Sequence, residues 1–146
     1  MKKSGQDPPQ GGNDTYTLTV TQTLAGEAGR MQRSQNTVLV VDDDADLRES
    51  LADVLRDEGY AVSMAANGQE ALDLLPKLKR PCGVVLDMAM PVMDGTQFYQ
   101  AMRAVPALAD IPVVVFSCDP SWAPSGLPKI RKTNLERVLT LVAELF

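Results

Sequence analysis

The 146-residue chain contains no histidine. That absence excludes imidazole acid–base catalysis, imidazole ligation of a metal, and a phosphohistidine on this chain. Cysteine is nearly absent too: Cys82 and Cys118 make no disulfide framework and lack metal-site spacing. No apolar run approaches the roughly 18 residues of a membrane span. The Met1-Lys2-Lys3 start has no apolar segment behind it, so it does not read as a secretory signal. A cytoplasmic location is the expectation. Lys and Arg number 14 against 19 Asp and Glu, a net charge of −5. This balance argues against DNA or an anionic membrane as the main partner, since both need a basic face. What the chain does have is 45% hydrophobic residues, enough for a core, in a length that fits one domain plus a tail.

Residues 1–36 have linker composition, with Gly5, Gly11, Gly12, Pro8, Pro9 and many Ser, Thr and Gln. Within them Tyr16, Leu18 and Val20 alternate with threonines, a strand-like pattern. The expectation is a flexible arm with some tendency to add to a sheet edge, on a domain spanning 37–146. Met31 also allows the arm to be an upstream extension of a shorter product.

From Thr37 the pattern changes. Val38-Leu39-Val40-Val41 is a continuous apolar run, the mark of a strand buried on both faces. Leu47, Leu51, Val54 and Leu55 recur at helical spacing, and Gly59 stops that helix. Tyr60–Met64 predicts a second strand. Asn67-Gly68 turns the chain into a helix with Ala71, Leu72, Leu75 and Leu78 on one face. Gly83–Leu86 predicts a third strand, 95–104 a helix carrying Phe98 and Met102, and Ile111–Phe116 a fourth strand. A shorter strand is predicted over 127–132. A final helix is expected to turn Leu135, Val138, Leu141, Val142 and Leu145 inward. Strands alternating with helices over short turns predict parallel βαβ units. The expected fold is a flavodoxin-like, doubly wound, five-stranded parallel sheet of order 2-1-3-4-5.

In such sheets ligands bind beyond the carboxyl ends of the strands. Strand one ends in Asp42-Asp43-Asp44, strand three in Asp87 and strand four in Ser117. Lys129, Arg131 and Lys132 lie at or just after strand five. Carboxylates gathered on one edge repel unless a cation joins them, and oxygen ligands of this kind suit Mg²⁺. The chemistry that follows is phosphoryl transfer to a carboxylate, assisted by a lysine and a hydroxyl. Asp44 has a simpler reading as a helix N-cap.

The stretch Val38–Asp44 resembles the opening of response-regulator receiver domains. Leu86-Asp87-Met88-Ala89-Met90-Pro91-Val92-Met93-Asp94-Gly95 resembles their phosphoacceptor loop, and Pro106–Ser117 their approach to strand four. The resemblance covers 37–146. It implies that Asp87 is the phosphoacceptor and that Asp42 and Asp43 hold Mg²⁺ together with Asp87 and the backbone carbonyl of Ala89. It further implies that Ser117 binds the phosphoryl group and that Pro91 and Gly95 shape the loop. Lys132 is the choice for the phosphoryl-pairing lysine. Register from the last helix favours Arg131 instead, and Lys129 is a third candidate.

The chain departs from the family pattern in the link after Ser117. Cys118–Gly126 holds two prolines and a glycine, so the fourth helix is expected to be reduced or missing. Thr133 follows Lys132 where the family usually has proline. Strand five lacks the family's aromatic residue, for which Trp122 could substitute. Ala89 and Asp119 occupy positions that tune phosphoryl lifetime in the family. Cys118 is expected to be small and buried, and Met88, Met90 and Met93 to be loop and core packing.

The implied function is a stand-alone receiver, because the chain ends right after its last helix. It would take a phosphoryl group from a sensor histidine kinase or phosphotransfer protein and signal to a downstream protein by contact. It would be a switch rather than an enzyme. The alternative is a phosphorylation-independent receiver acting as an interaction module. A haloacid-dehalogenase-type phosphatase is disfavoured, because Ala89 stands where that chemistry needs a second aspartate.

Overall fold

The structure is a computed structural model that describes residues 36–80 and 82–146. The expected arm, apart from Asn36, lies outside the described residues. The elements run β1 (Thr37–Val41), α1 (Ala45–Asp57), β2 (Ala61–Ala65), α2 (Gly68–Leu74), β3 (Cys82–Leu86), α3 (Gly95–Arg103), β4 (Val113–Ser117), β5 (Lys129–Arg131) and α4 (Leu135–Leu145). Short 3₁₀ turns occupy Leu75–Lys77 and Pro120–Trp122. The five strands are all parallel, in the order β2-β1-β3-β4-β5. The predicted topology therefore holds.

Strand periodicity divides the core into two layers. Leu39, Val41, Val84, Leu86, Val113 and Val115 pack with Ala71 and Leu75 and with Phe98 and Met102 of α3. Val38, Val40, Val85, Val114, Phe116 and Ile130 pack with Leu51 and Leu55 of α1 and Val138 and Val142 of α4. β1, β3 and β4 are buried on both faces, as continuous apolar runs require.

The boundary differences have local causes. α2 ends at Leu74 and tightens into a 3₁₀ turn because Pro76 has no N–H for the α ladder. β4 begins at Val113, two residues later than expected. Pro112 cannot donate, although its carbonyl accepts Val84 N–H at 3.0 Å. β5 is cut to three residues in the same way, with the Pro128 carbonyl accepting Val115 N–H at 2.9 Å. β2 is displaced by one residue, since Tyr60 N–H is still spent on the α1 carbonyl of Leu55. Leu145, expected inward, is exposed. Phe146 packs there instead, over Gly83 of β3, where any Cβ would collide with its ring.

The link from β4 to β5 holds the one large departure. A full helix is replaced by the Pro120–Trp122 turn, capped by the Asp119 carboxylate. The expected reduction of this helix is thus observed.

Candidate functional site

The sheet itself places the site. Asp42 and Asp87 each lie one residue past a strand and keep one more ladder hydrogen bond. Asp42 N–H donates to Ala65 O at 3.1 Å and Asp87 N–H to Val41 O at 2.9 Å. Lys132 does the same after β5, donating to Ser117 O at 3.2 Å. Parallel strands bring these ends to one edge, so residues far apart in sequence meet without any loop having to fold over.

The side chains then converge. One Asp42 oxygen accepts Asp44 N–H at 2.9 Å, and the Arg48 guanidinium donates to the Asp42 carbonyl at 2.7 Å. Asp87 Oδ1 accepts Met88 N–H at 2.8 Å. Lys132 Nζ lies 2.8 Å from Asp42 Oδ2 and 3.2 Å from Asp87 Oδ2. Asp42 and Asp87 are each only 4% exposed, whereas Asp43 is exposed. Oxygen atoms from these three carboxylates lie within 4.8 Å of one another. Ser117 is buried at the end of β4.

Electrostatics follow from this packing. Burial pushes the Asp87 carboxyl above its ordinary value, and the neighbouring Asp42 charge adds to the rise. Lys132 and the Ser117 hydroxyl pull the other way without cancelling it. Burial alone would lower Lys132; the hydrogen bond and charge of Asp42, then Asp87, outweigh it and hold the ammonium above its usual range. A lysine with two carboxylates in reach is a built-in counter-ion.

An open cavity of about 360 Å³ adjoins this cluster, lined by Asp43, Asp44, Asp87, Ala89, Ser117, Cys118, Asp119, Trp122 and Lys132. The donor set is all oxygen, compact and open to solvent at Asp43. A hard divalent cation such as Mg²⁺ fits it better than a soft metal. Asp42, Asp43 and Asp87 could hold such an ion.

Of the three basic candidates, Lys132 alone is seen on the two buried acids. The Arg131 guanidinium reaches the Cys118 carbonyl at 3.5 Å, and the Lys129 side chain is exposed. Asp44 caps α1 by accepting Leu47 N–H, as its simpler reading held. Cys118, expected buried, is exposed: it lies just past β4, ahead of a 3₁₀ turn that buries none of its residues. Met88 is buried, and Met90 and Met93 are half-buried against the same layer.

The acceptor loop is held by close backbone contact. Gly95 N–H donates to Met88 O at 2.9 Å, and a Cβ on Gly95 would run into the Asp87 carbonyl oxygen and the Met88 side chain. The Arg48 bond to the Asp42 carbonyl and the wall contributed by Cys118 were not anticipated, while Trp122, offered as a substitute for the strand-five aromatic, lines the cavity with Ser117. Arg48 does lie six residues after Asp42, close enough for a side chain of the first helical turn to reach back. Nothing in the sequence signals the inward face of the loop.

A doubly wound parallel sheet with an acidic cluster, a lysine and a hydroxyl at its carboxyl edge defines a class: flavodoxin-like α/β domains with an oxygen-rich site where the strands end. The chain belongs to the response regulator receiver domain family, whose pattern it matches over residues 38–122. It is 44% identical over 80 residues to the response regulator MprA of Mycolicibacterium vanbaalenii, a stretch covering 55% of this chain and 33% of that protein. The chain thus spans about a third of the length of the curated relatives it matches first.

Among solved structures it is similar to the chemotaxis protein CheY4 of Vibrio cholerae, with a TM-score of 0.69 and 29% identity over 77% of this chain and 99% of that one. It is also similar to the response regulator TrrA of Thermotoga maritima, solved in complex with Mg²⁺ and BeF, at a TM-score of 0.67 and 25% identity over 76% and 99%. Receiver domains are signalling modules of two-component systems, paired with histidine kinases or phosphotransfer proteins. Among the described residues no helix is long and apolar enough to cross a membrane.

Proposed function

We propose that this receiver accepts a phosphoryl group on Asp87 from a partner's phosphohistidine, in a Mg²⁺-dependent reaction, and signals onward by protein–protein contact. The observation that carries the reading is Lys132 Nζ bridging Asp42 and Asp87 beside a cavity that also holds Asp43 and Ser117.

In this reading an Asp87 carboxylate oxygen attacks phosphorus. The P–N bond to the donor imidazole breaks, its electron pair returns to the ring, and a mixed anhydride forms on Asp87. Asp42, Asp43, Asp87 and the Ala89 carbonyl would hold Mg²⁺, which when bound supplies positive charge between the attacking carboxylate and the incoming phosphoryl oxygens. Lys132 already faces Asp87 Oδ2 and donates to a second phosphoryl oxygen. The Ser117 hydroxyl donates to a third.

The test is intact-protein mass after incubation with acetyl phosphate and Mg²⁺, and with a phosphorylated phosphotransfer protein as second donor. One added phosphoryl group, lost in Asp87→Ala and in the presence of chelator, is the expected result. A folded protein that gains nothing from either donor overturns it. That outcome would favour an interaction module independent of phosphorylation, a reading supported by a β5 of Lys-Ile-Arg without an aromatic and by the reduced link before it.

A further inference from the structure

Trp122 is the single tryptophan of the chain and the largest side chain lining the Asp87 cavity. It is also 63% exposed, an unusual state for an indole, which normally buries much of its apolar surface. The turn that carries it is fixed on both sides. Before it, the Asp119 carboxylate accepts hydrogen bonds from the Ser121 N–H at 3.1 Å and from the Ser121 hydroxyl at 2.5 Å. After it, Ala123 N–H donates to Pro120 O at 3.0 Å, and the Ala123 side chain packs on the core. The backbone is thereby anchored while the ring stands at the mouth of an open cavity. Of the other lining residues, Ala89 and Cys118 are small, and the Asp119 carboxylate is tied into the turn.

We infer that Trp122 is a cover for the acceptor site, closing its ring over a phosphoryl group on Asp87 and slowing the attack of water. The inference rests on the reading of Asp87 as phosphoacceptor. The reaction it slows is hydrolysis of the mixed anhydride: a water oxygen bonds to phosphorus, the bond from phosphorus to the Asp87 oxygen breaks, inorganic phosphate leaves and the Asp87 carboxylate is restored. Closure removes apolar ring surface from solvent and occupies the approach that water would use. Trp122 acts here as a positioning residue that controls solvent, without bonding to the reacting atoms in the resting protein. The reduced β4–β5 link makes this possible, because it places an aromatic turn where a full helix would otherwise carry the chain away.

Two measurements on the full chain test the cover. The first is acrylamide quenching of the fluorescence of this sole tryptophan, with and without Mg²⁺ plus beryllofluoride. Quenching is expected to fall by roughly half or more when the phosphoryl mimic is bound. The second is the decay of phosphorylated protein, followed by intact mass, for wild type, Trp122→Ala and Trp122→Phe. Trp122→Ala is expected to shorten the lifetime at least ~3-fold, and Trp122→Phe to recover most of it, since an aromatic ring still covers the mouth. The exposed position makes both variants good candidates to fold, which circular dichroism checks. Equal lifetimes in all three proteins, or quenching unchanged by the mimic, overturn the cover while leaving Asp87 phosphorylation intact. If wild type takes up no phosphoryl group from either donor, the phosphoacceptor reading fails first and the cover falls with it.

Discussion

On the proposed reading, Asp87 serves two opposed requirements. Accepting a phosphoryl group needs an ionised carboxylate, yet burial and the Asp42 charge both disfavour ionisation there. A carboxyl whose folded pKa is raised binds its proton more tightly in the folded state. Its ionisation therefore removes stability as pH rises from its ordinary 3.8 through the raised folded value. Asp87→Asn is expected to stabilise the Mg²⁺-free protein at pH 7 by about 1 kcal/mol, with the gain shrinking as pH is lowered through the Asp87 titration. Urea unfolding in chelator at several pH values measures this; equal stabilities at pH 7 would mean that Lys132 fully neutralises the pair. At this scale the acids were legible, because Asp42, Asp43 and Asp87 stand directly after apolar runs. The lysine was not. Lys129, Arg131 and Lys132 sit within four residues, and only the end of β5 and its ladder bond to Ser117 put Lys132 on the acids.

The loop between β3 and α3 shows how an element stores strain. Val92 has φ 68°, and Met93 N–H donates to the Pro91 carbonyl at 2.7 Å, which closes a three-residue γ-turn. A left-handed conformation costs a residue with a Cβ about 1–2 kcal/mol, and glycine's extra unfolded-state entropy costs about 0.5–1. The first exceeds the second, and the Val92 side chain, 80% exposed, packs on little. Val92→Gly is therefore expected to stabilise the protein by about 0.5–1 kcal/mol, measured by thermal or urea unfolding. A loss of stability would show that the valine makes contacts worth more than its strain. The loop's ends are fixed by Asp94, whose carboxylate and Gln97 form a reciprocal cap on α3. Among the strands and helices, type and order were legible from apolar runs and helical spacing. Boundaries were displaced wherever a proline withheld a hydrogen bond, at Pro76, Pro112 and Pro128. The reduction of the helix between β4 and β5 to a 3₁₀ turn was legible for the same reason, as prolines and glycine crowd the link.

In the whole domain, the ends of β1, β3 and β5 converge their charges on one edge, leaving two buried carboxylates with one lysine between them. A divalent cation that binds this edge in the folded state, and has no site in the unfolded chain, stabilises the fold by mass action. The gain is about 2.7 kcal/mol at a hundredfold excess over its Kd. Scanning calorimetry is expected to show the melting temperature rising with Mg²⁺ and falling back with chelator, with the response blunted in Asp43→Ala. No shift at millimolar Mg²⁺ would argue that Lys132 already satisfies the acids. The sequence by itself determined the parallel sheet, its order and the acidic edge, because burial on both faces demands continuous apolar strands and the charged residues can then lie only at their ends. Only the tertiary structure decided which base joins the acids, that Cys118 faces solvent, and that Trp122 stands at the cavity mouth. Those facts depend on where a short, proline-bounded strand ends and how a capped turn leaves it, and no periodicity encodes either.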